Sequence, residues 1–494
     1  MLIQNFNQLG GANTNVSPFL MPEGTAVVLN GCNPAYKLGA LVKDLGYSRV
    51  STQIQASKSI TGLFNFRQVP GTEKMLATVN DADGDDDTQL FYKTAAGAWT
   101  EIAGAEATWN GYEDINVEME NFIGYCFFVG HGDTDGFLPV GSLTGTTWSD
   151  AVNVTNMPGA KYIKRYRDRL YLGNCDSAGT AYPYRVYFSS VPSAGAITWT
   201  VASDFIDVDY SEQITGLGEN WDRLVIFTEY SAYIYNQEQK KKVWDIGCSN
   251  HRTIRTQGEY MFWANRDGVW LSVSGGYPQN IAGNVIDFFR NGTPNNFFAE
   301  LIDEEYILYV GDVTVNGVAY SNTELIFNIP TQTWRWRENT DNMTIFARFN
   351  DSGKLRRYMG DDDGNVWDKS KYTDTSLVYT DTTVSGSGVS IAANFELAPI
   401  FLGDVSFNKR IKEIHAFAER AGGLKLKYRV VDKNSRALTE YIELGELTQY
   451  VSTFDVEAEG GVLLQVAGSE YGSNPFWSFF GFAMDVEKQS DILN

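Results

Sequence analysis

The chain carries only three histidines, His131, His251 and His415, and their scarcity bounds the chemistry first. Nucleophilic catalysis needs an imidazole beside a serine or cysteine, oriented by a third group. No G-x-S-x-G elbow, H-E-x-x-H pair or Walker-type phosphate loop accompanies these histidines. His131, in the turn VGHGDTDG, reads as a solvated loop residue, and His251 and His415 read as structural. Two acidic runs are the other candidates. Asp81, Asp83, Asp85, Asp86 and Asp87 crowd one loop, and Asp361, Asp362 and Asp363 precede Gly364 and Asn365 in another. Carboxylates this close on a glycine turn can wrap a hard cation such as calcium. Neither run has the glycine offset or terminal glutamate of an EF-hand loop, so the simpler reading is an acidic hairpin tip kept soluble by charge. Cys32, Cys126, Cys175 and Cys248 are scattered with no C-x-x-C pair, which suggests buried reduced thiols rather than a zinc site or a disulfide framework. Lys240, Lys241 and Lys242 are flanked by Glu238 and Asp245 and read as a solvated hairpin edge. No catalytic residue, metal ligand or cofactor is assigned, and no enzymatic activity is expected.

Composition narrows the classes further. The 494 residues suit two to four domains, or one large β architecture with a smaller module. Apolar residues at 43% and aromatics at 14% exclude a disordered tail. Apolar runs such as 123–129 are too short to span a bilayer, so no stable membrane insertion is expected. The opening MLIQNFNQLGG lacks a basic region followed by a long apolar stretch, so neither a secretory leader nor an anchor is expected. Lys and Arg total 39 against 61 for Asp and Glu, a net charge of −22. That balance excludes a protein that grips DNA by neutralising its phosphates, while an acidic channel would let a polyanion slide past.

The elements available to position any site are strands. From about Ile60 to Lys369 the chain runs as short β-branched and aromatic stretches, such as RLVIFTE at 223, EYMFWAN at 259 and EYILYVG at 305, broken by Gly, Asn, Asp and Pro. Two markers recur. Trp99, Trp148, Trp199, Trp244, Trp270, Trp334 and Trp367 lie about 45 residues apart on average, with Trp270 off phase. Met75, Phe122, Leu170, Leu224, Tyr260, Tyr306 and Leu355, each the first large apolar residue after a polar turn, repeat at a similar step. That period is the scale of a four-stranded propeller blade. The fold expected is all-β: a propeller-like array of about seven blades at 56–371, with stacked sandwiches or a solenoid as the alternatives. An extended N-terminal arm at 1–55, lying as a strap on something else, precedes it. A connection at 372–394, read as irregular or as an exposed hairpin, leads to a C-terminal β-sandwich at 395–494, where IKEIHAFAE at 411 and FFGFAMDVE at 479 alternate at period two. Paired carboxylates for sugar hydrolysis would come from different blades, which spacing cannot test. GVWLS at 268 and GNVWDKS at 364 resemble a blade turn of sialidase-like propellers, with a tryptophan capping the outer blade as the simpler reading.

A resemblance rests on the arm. Gly10, Gly11, Asn13, Ser17, Pro18, Met21, Pro22, Gly24, Ala26 and Asn30, then Gly39, Leu41, Lys43, Gly46 and Tyr47, follow the order of a GG-N-x-x-x-SP opening that leads to G-x-L-x-K and G-Y. A second succession runs from Arg167, Asp168, Arg169, Leu170 and Tyr171 through Trp199, DFIDV at 204 and ITGL at 214 to WDRLVIFTEYSAYIY at 221. More loosely, Phe482, Met484, Val486 and Glu487 continue it. Together these resemble the tail nozzle proteins of short-tailed phages, also called tail tube protein B or phage stabilisation proteins. Asp44 and Leu45 depart from the more basic, proline-containing segment common there. The resemblance implies a virion structural protein assembled in the host cytoplasm as a homo-oligomeric ring, a hexamer, at the distal tail. It would hold and then conduct viral DNA through its lumen without sequence-specific binding, with an adaptor protein above and fibres or spikes beside it. On this reading Gly10, Gly11, Asn13, Ser17, Pro18, Pro22, Gly39, Lys43, Gly46 and Tyr47 would dock the arm on a partner. The alternatives are a tail hub or host-binding adhesin of the same architecture, or a propeller glycosidase or lectin.

Overall fold

A computed structural model describes residues 2–488 except 6–9, 23, 38, 69–72, 81–86, 95–96, 114, 133, 352, 372–373, 375–379, 383–386, 403–408, 420–421, 433–437 and 471–476. From Ile60 onward the short runs become strands in groups of four, with a fifth short strand, Gly136–Phe137, added to the second group. The first sheet takes Ile60–Arg67, Glu73–Asn80, Thr88–Lys93 and Thr100–Glu101 in chain order. Further antiparallel sheets follow at 116–149, 159–207, 214–244, 255–280 and 298–338. A seventh uses Met343–Asp351, Lys354–Asp361 and Val366–Lys369, and takes its outermost strand, Tyr47–Arg49, from the arm. The innermost strand of each sheet lies beside that of the next, and Met343–Asp351 returns to Ile60–Arg67. The result is a closed seven-bladed propeller.

Closure explains the sequence pattern. A blade's second strand is covered on both faces by neighbouring blades, so it reads as a continuous apolar run rather than an alternating one. Leu224–Thr228 is buried throughout, and Tyr260–Asn265 is buried except at its first residue. The apolar marker lies within the first three residues of the second strand in six blades; only Phe122 sits elsewhere, at the end of a first strand. The tryptophan marker falls on or near the outermost strand in five blades. Trp270 and Trp367 lie on third strands instead. For Trp367 the reason is that its blade borrows the fourth strand from the other end of the chain.

Beyond the propeller stands the sandwich. Val451–Glu470 runs through both of its halves: the first half pairs with Lys409–Glu419, and the second with Lys425–Asp432 and Ala393–Leu397. The neighbours change near Gly460 and Gly461. Lys409–Glu419 alternates buried and part-exposed residues along most of its length, as a half-buried strand should.

The segment 1–55 is built into the chain rather than laid on something else. Leu2–Asn5 and Leu41–Lys43 pair with Ser478–Lys488 in the sandwich. Ala26–Asn30 runs parallel to the sixth blade's Thr333–Glu338 and antiparallel to Ala393–Leu397, so blade and sandwich join in one 15-stranded sheet. The apolar core is continuous across that junction and includes Leu29, Leu41, Trp336, Phe395 and Phe482. Buried ion pairs cross it too. Lys43 pairs with Glu470, and Arg337 pairs with Asp381 and donates to the Leu45 carbonyl. Asp381 belongs to a hairpin, Thr380–Thr382 with Gly388–Ser390, inside the connection. Gly46 is required here, because a Cβ would fall on the Thr380 carbonyl. Among the described residues, no helix is long and apolar enough to cross a membrane.

Candidate functional site

The innermost strands enclose a cavity of about 450 Å³ on the propeller axis. Its floor comes from the fifth blade. A single turn of 3₁₀ helix, His251–Thr253, precedes that blade's inner strand, and the Asn250 side chain accepts the Arg252 N–H at 2.9 Å to start it. Arg252 then reaches across the axis. Its Nη2 donates to the carbonyls of Thr61 at 2.6 Å and Val117 at 3.3 Å, and its Nε to Glu118 at 2.9 Å. One guanidinium thus ties the fifth blade to the first and second and closes the axis at that level.

His251 completes the floor. Its Nδ1 accepts the Leu217 N–H at 3.2 Å, so in the neutral ring the proton sits on Nε2, which faces Glu118 at 3.8 Å. Tyr162 packs against the ring with centroids 5.1 Å apart. Burial pushes the His251 imidazolium down to about 4, against a smaller upward pull from Glu118, while Arg255, Lys164 and Arg252 also disfavour a second charge. Burial alone would raise the Glu118 carboxyl, but Arg252, His251 and Arg255 together hold it below its ordinary value. The sign for stability follows from proton counting. Between about pH 6.5 and 4 the unfolded chain binds a proton that folded His251 refuses, so stability complete above 6.5 is lost as the pH falls towards 4. His251→Gln is expected to remove up to about 3 kcal/mol of that pH dependence. Urea unfolding at pH 7 and pH 4.5 measures it, and an unchanged difference between the two would exclude the assignment.

Higher in the cavity the charges are paired. Glu300 accepts from Arg348 Nε at 3.0 Å and lies 3.6 Å from Arg255 Nε, while Glu120 lies 3.7 Å from Lys164. At the mouth stand Glu219, Thr256 and Leu355. Glu219 and Thr256 also line a second cleft of about 290 Å³ with Trp221, Asp222 and Gly258. Trp221 and Asp222 form the tight turn between the fourth blade's first two strands, both at positive φ, 49° and 58°. Arg167 holds the Asp222 carboxylate with two hydrogen bonds, 2.9 and 2.6 Å.

The residues singled out from sequence fall elsewhere. Gly10, Ser17 and Pro22 are exposed, and Pro18 and Gly39 are part-exposed. Gly11 sits at φ 75° with Thr333 and Trp334 behind it, and Asn13 is buried with its side chain accepting the Asn15 N–H. Lys43, Gly46 and Tyr47 are buried, and the Tyr47 hydroxyl donates to Asp341 at 2.8 Å. These three meet this chain's own blades, sandwich and connection. Of the acidic runs, Asp81, Asp83, Asp85 and Asp86 lie outside the described residues, while Asp87 is buried and accepts the Gly111 N–H. The Asp361 carboxylate accepts from the N–H groups of Asp363 and Asn365, the Asn365 amide and the Trp367 indole, so it shapes its own turn. His131 lies on a strand against Phe137, and His415 bonds Thr453. The four cysteines are buried and free. Lys240, Lys241 and Lys242 form an exposed outer strand. Sequence reasoning missed Arg252, Glu300, Arg348 and Trp221. Only Trp221 left a local signal, a large aromatic placed in a polar turn.

No family model matches the chain, and no curated protein does. Among solved structures the chain is similar to the AfRom2 CNH domain, at 9% identity and a TM-score of 0.41 over 67% of this chain and 100% of that one. It is also similar to a chain of a mitotic checkpoint complex, at 10% identity and a TM-score of 0.36 over 66% and 93%. A third is an exo-β-1,3-galactanase from Phanerochaete chrysosporium, at 9% identity and a TM-score of 0.28 over 90% and 100%.

Proposed function

We propose that this chain is a structural protein of a virus tail, of the nozzle type found in short-tailed phages, which assembles as a hexameric ring around the exiting genome. One observation carries the reading. The segment that carries the resemblance, Gly10 to Tyr47, contains or leads into the strands that stitch propeller to sandwich, Ala26–Asn30, Leu41–Lys43 and Tyr47–Arg49. A part that withstands a pressurised genome needs its modules locked together, and here strand pairing, a shared core and buried ion pairs lock them. Charge supports the same role: six copies at −22 each would surround a lumen that DNA passes without adhering. Arg252 spans the propeller axis, so on this reading the lumen would lie between copies and not within one.

The test is a symmetric reconstruction of particles that contain the chain. Six copies in a ring at the distal tail, with an acidic inner wall, are expected. A chain that stays monomeric and cleaves a reporter glycoside, or a ring with a basic lumen, overturns the proposal.

A further inference from the structure

We infer that the axial cavity and the cleft beside Trp221 form one binding site for a short uncharged oligosaccharide. The inference does not depend on ring formation.

Shape comes first. Arg252, His251 and Glu118 floor the cavity, so it admits the end of a molecule and not a polymer running through. The cavity and the cleft lie side by side, with Glu219 and Thr256 lining both, and together they are of a size that suits a small ligand.

Trp221 supplies the stacking surface. It is 59% exposed, and it occupies left-handed backbone that a bulky residue rarely adopts. The equivalent turn of the next blade uses Gly258. Strain of this kind collects at ligand-binding positions, where the side chain matters more than its backbone cost. An indole face presents a flat apolar surface to the C–H face of a pyranose, while neighbouring polar groups take the hydroxyls. Those groups are present. Asn65 and Thr256 line the cavity with polar side chains. Glu300 and Arg348 form a fixed acceptor and donor pair, and Arg167 locks Asp222 at the edge of the cleft.

Charge selects against other ligands. Four carboxylates and four cationic side chains line the cavity, so it carries no net charge. The chain as a whole carries −22, which repels anionic sugars and phosphates at long range. A neutral polyol with many hydroxyls fits balanced donors and acceptors better than an ion does. Glu118, Glu120 and Glu300 are each set against a cation, which leaves Glu219 without the second free carboxylate that sugar hydrolysis needs, so the site is assigned binding and not hydrolysis.

The experiment uses the free full-length chain and neutral trisaccharides of glucose, galactose and N-acetylglucosamine, followed by tryptophan fluorescence and calorimetry. An anionic galacturonic acid trisaccharide and a tripeptide serve as comparisons. At least one neutral sugar is expected to bind. Trp221→Asn, which suits left-handed backbone better than tryptophan does, should weaken it at least ten-fold with unchanged melting. Leu355→Arg, at an exposed position on the seventh-blade side of the mouth, should do the same by filling the entrance. Absence of neutral-sugar binding, tighter binding of the anionic sugar or the peptide, or wild-type affinity in either variant overturns the inference. Because the readout is on the free chain, failure here leaves the ring proposal standing, and a chain that forms no ring leaves this site standing.

Discussion

Replacing Lys43 with methionine is expected to destabilise the protein by about 3–5 kcal/mol, the cost of leaving one member of a buried ion pair without its partner. Both side chains of the Lys43–Glu470 pair are fully buried at the seam between arm and sandwich, so no solvent reaches Glu470 to replace the lysine. Opening the seam to water relieves the stranded charge only at a cost in free energy. The double variant Lys43→Met with Glu470→Met should recover most of the loss, because apolar groups of similar volume remove the desolvation penalty from both sides. Denaturant unfolding of the four proteins in the cycle gives the coupling directly. A Lys43→Met protein as stable as the parent would show that the pair is open to water.

Removing residues 1–50 is expected to have a larger effect still. The deletion takes the fourth strand from the seventh blade, the strand bridging the sixth blade to the sandwich, and two sandwich partners. It also removes Leu29, Leu41, Val42, Leu45 and Tyr47 from cores in which each is buried. At about 1.5–3 kcal/mol for each large apolar side chain, the loss reaches the 5–15 kcal/mol that typically separates folded from unfolded. The strand edges of Val366–Lys369, Thr333–Glu338 and Ala393–Leu397 would be left open to pair with other chains. The truncated chain should therefore be recovered as aggregate, assessed by soluble yield and size-exclusion chromatography. A soluble monomer with unchanged melting would mean that the segment rides on the fold instead of closing it.

The turn Asn220 to Arg223 and the seventh blade show how far local pattern reaches. Strands on both sides of that turn are legible, because RLVIFTE can bury both faces only as the covered second strand of a stacked sheet. That the turn borders a cavity is not legible, since the opposite walls come from blades more than 100 residues away in either direction. In the seventh blade Trp367 keeps the marker's spacing but not the place near an outermost strand that the marker takes in five other blades. Instead Trp367 pairs with Arg49 across the length of the propeller. A strand of three residues, Tyr47–Arg49, is too short to announce itself, and its partner is chosen by register and burial rather than by composition. His251 and Arg252 carry even less signal, for a polar pair before a strand becomes a floor only when seven inner strands converge on it.

The amino-acid sequence by itself determined the all-β class, the repeat near 45 residues, the count of about seven and the strong negative charge. Each of these rests on properties confined to one strand or turn, or on simple sums over the chain. Tertiary structure alone decided that the arm is internal, that the axis is closed by Arg252, that Lys43 meets Glu470, and that Trp221 stands beside a cavity. Those facts depend on pairings across hundreds of residues, whose energy comes from mutual burial and from hydrogen bonds that exist only once the ring has closed.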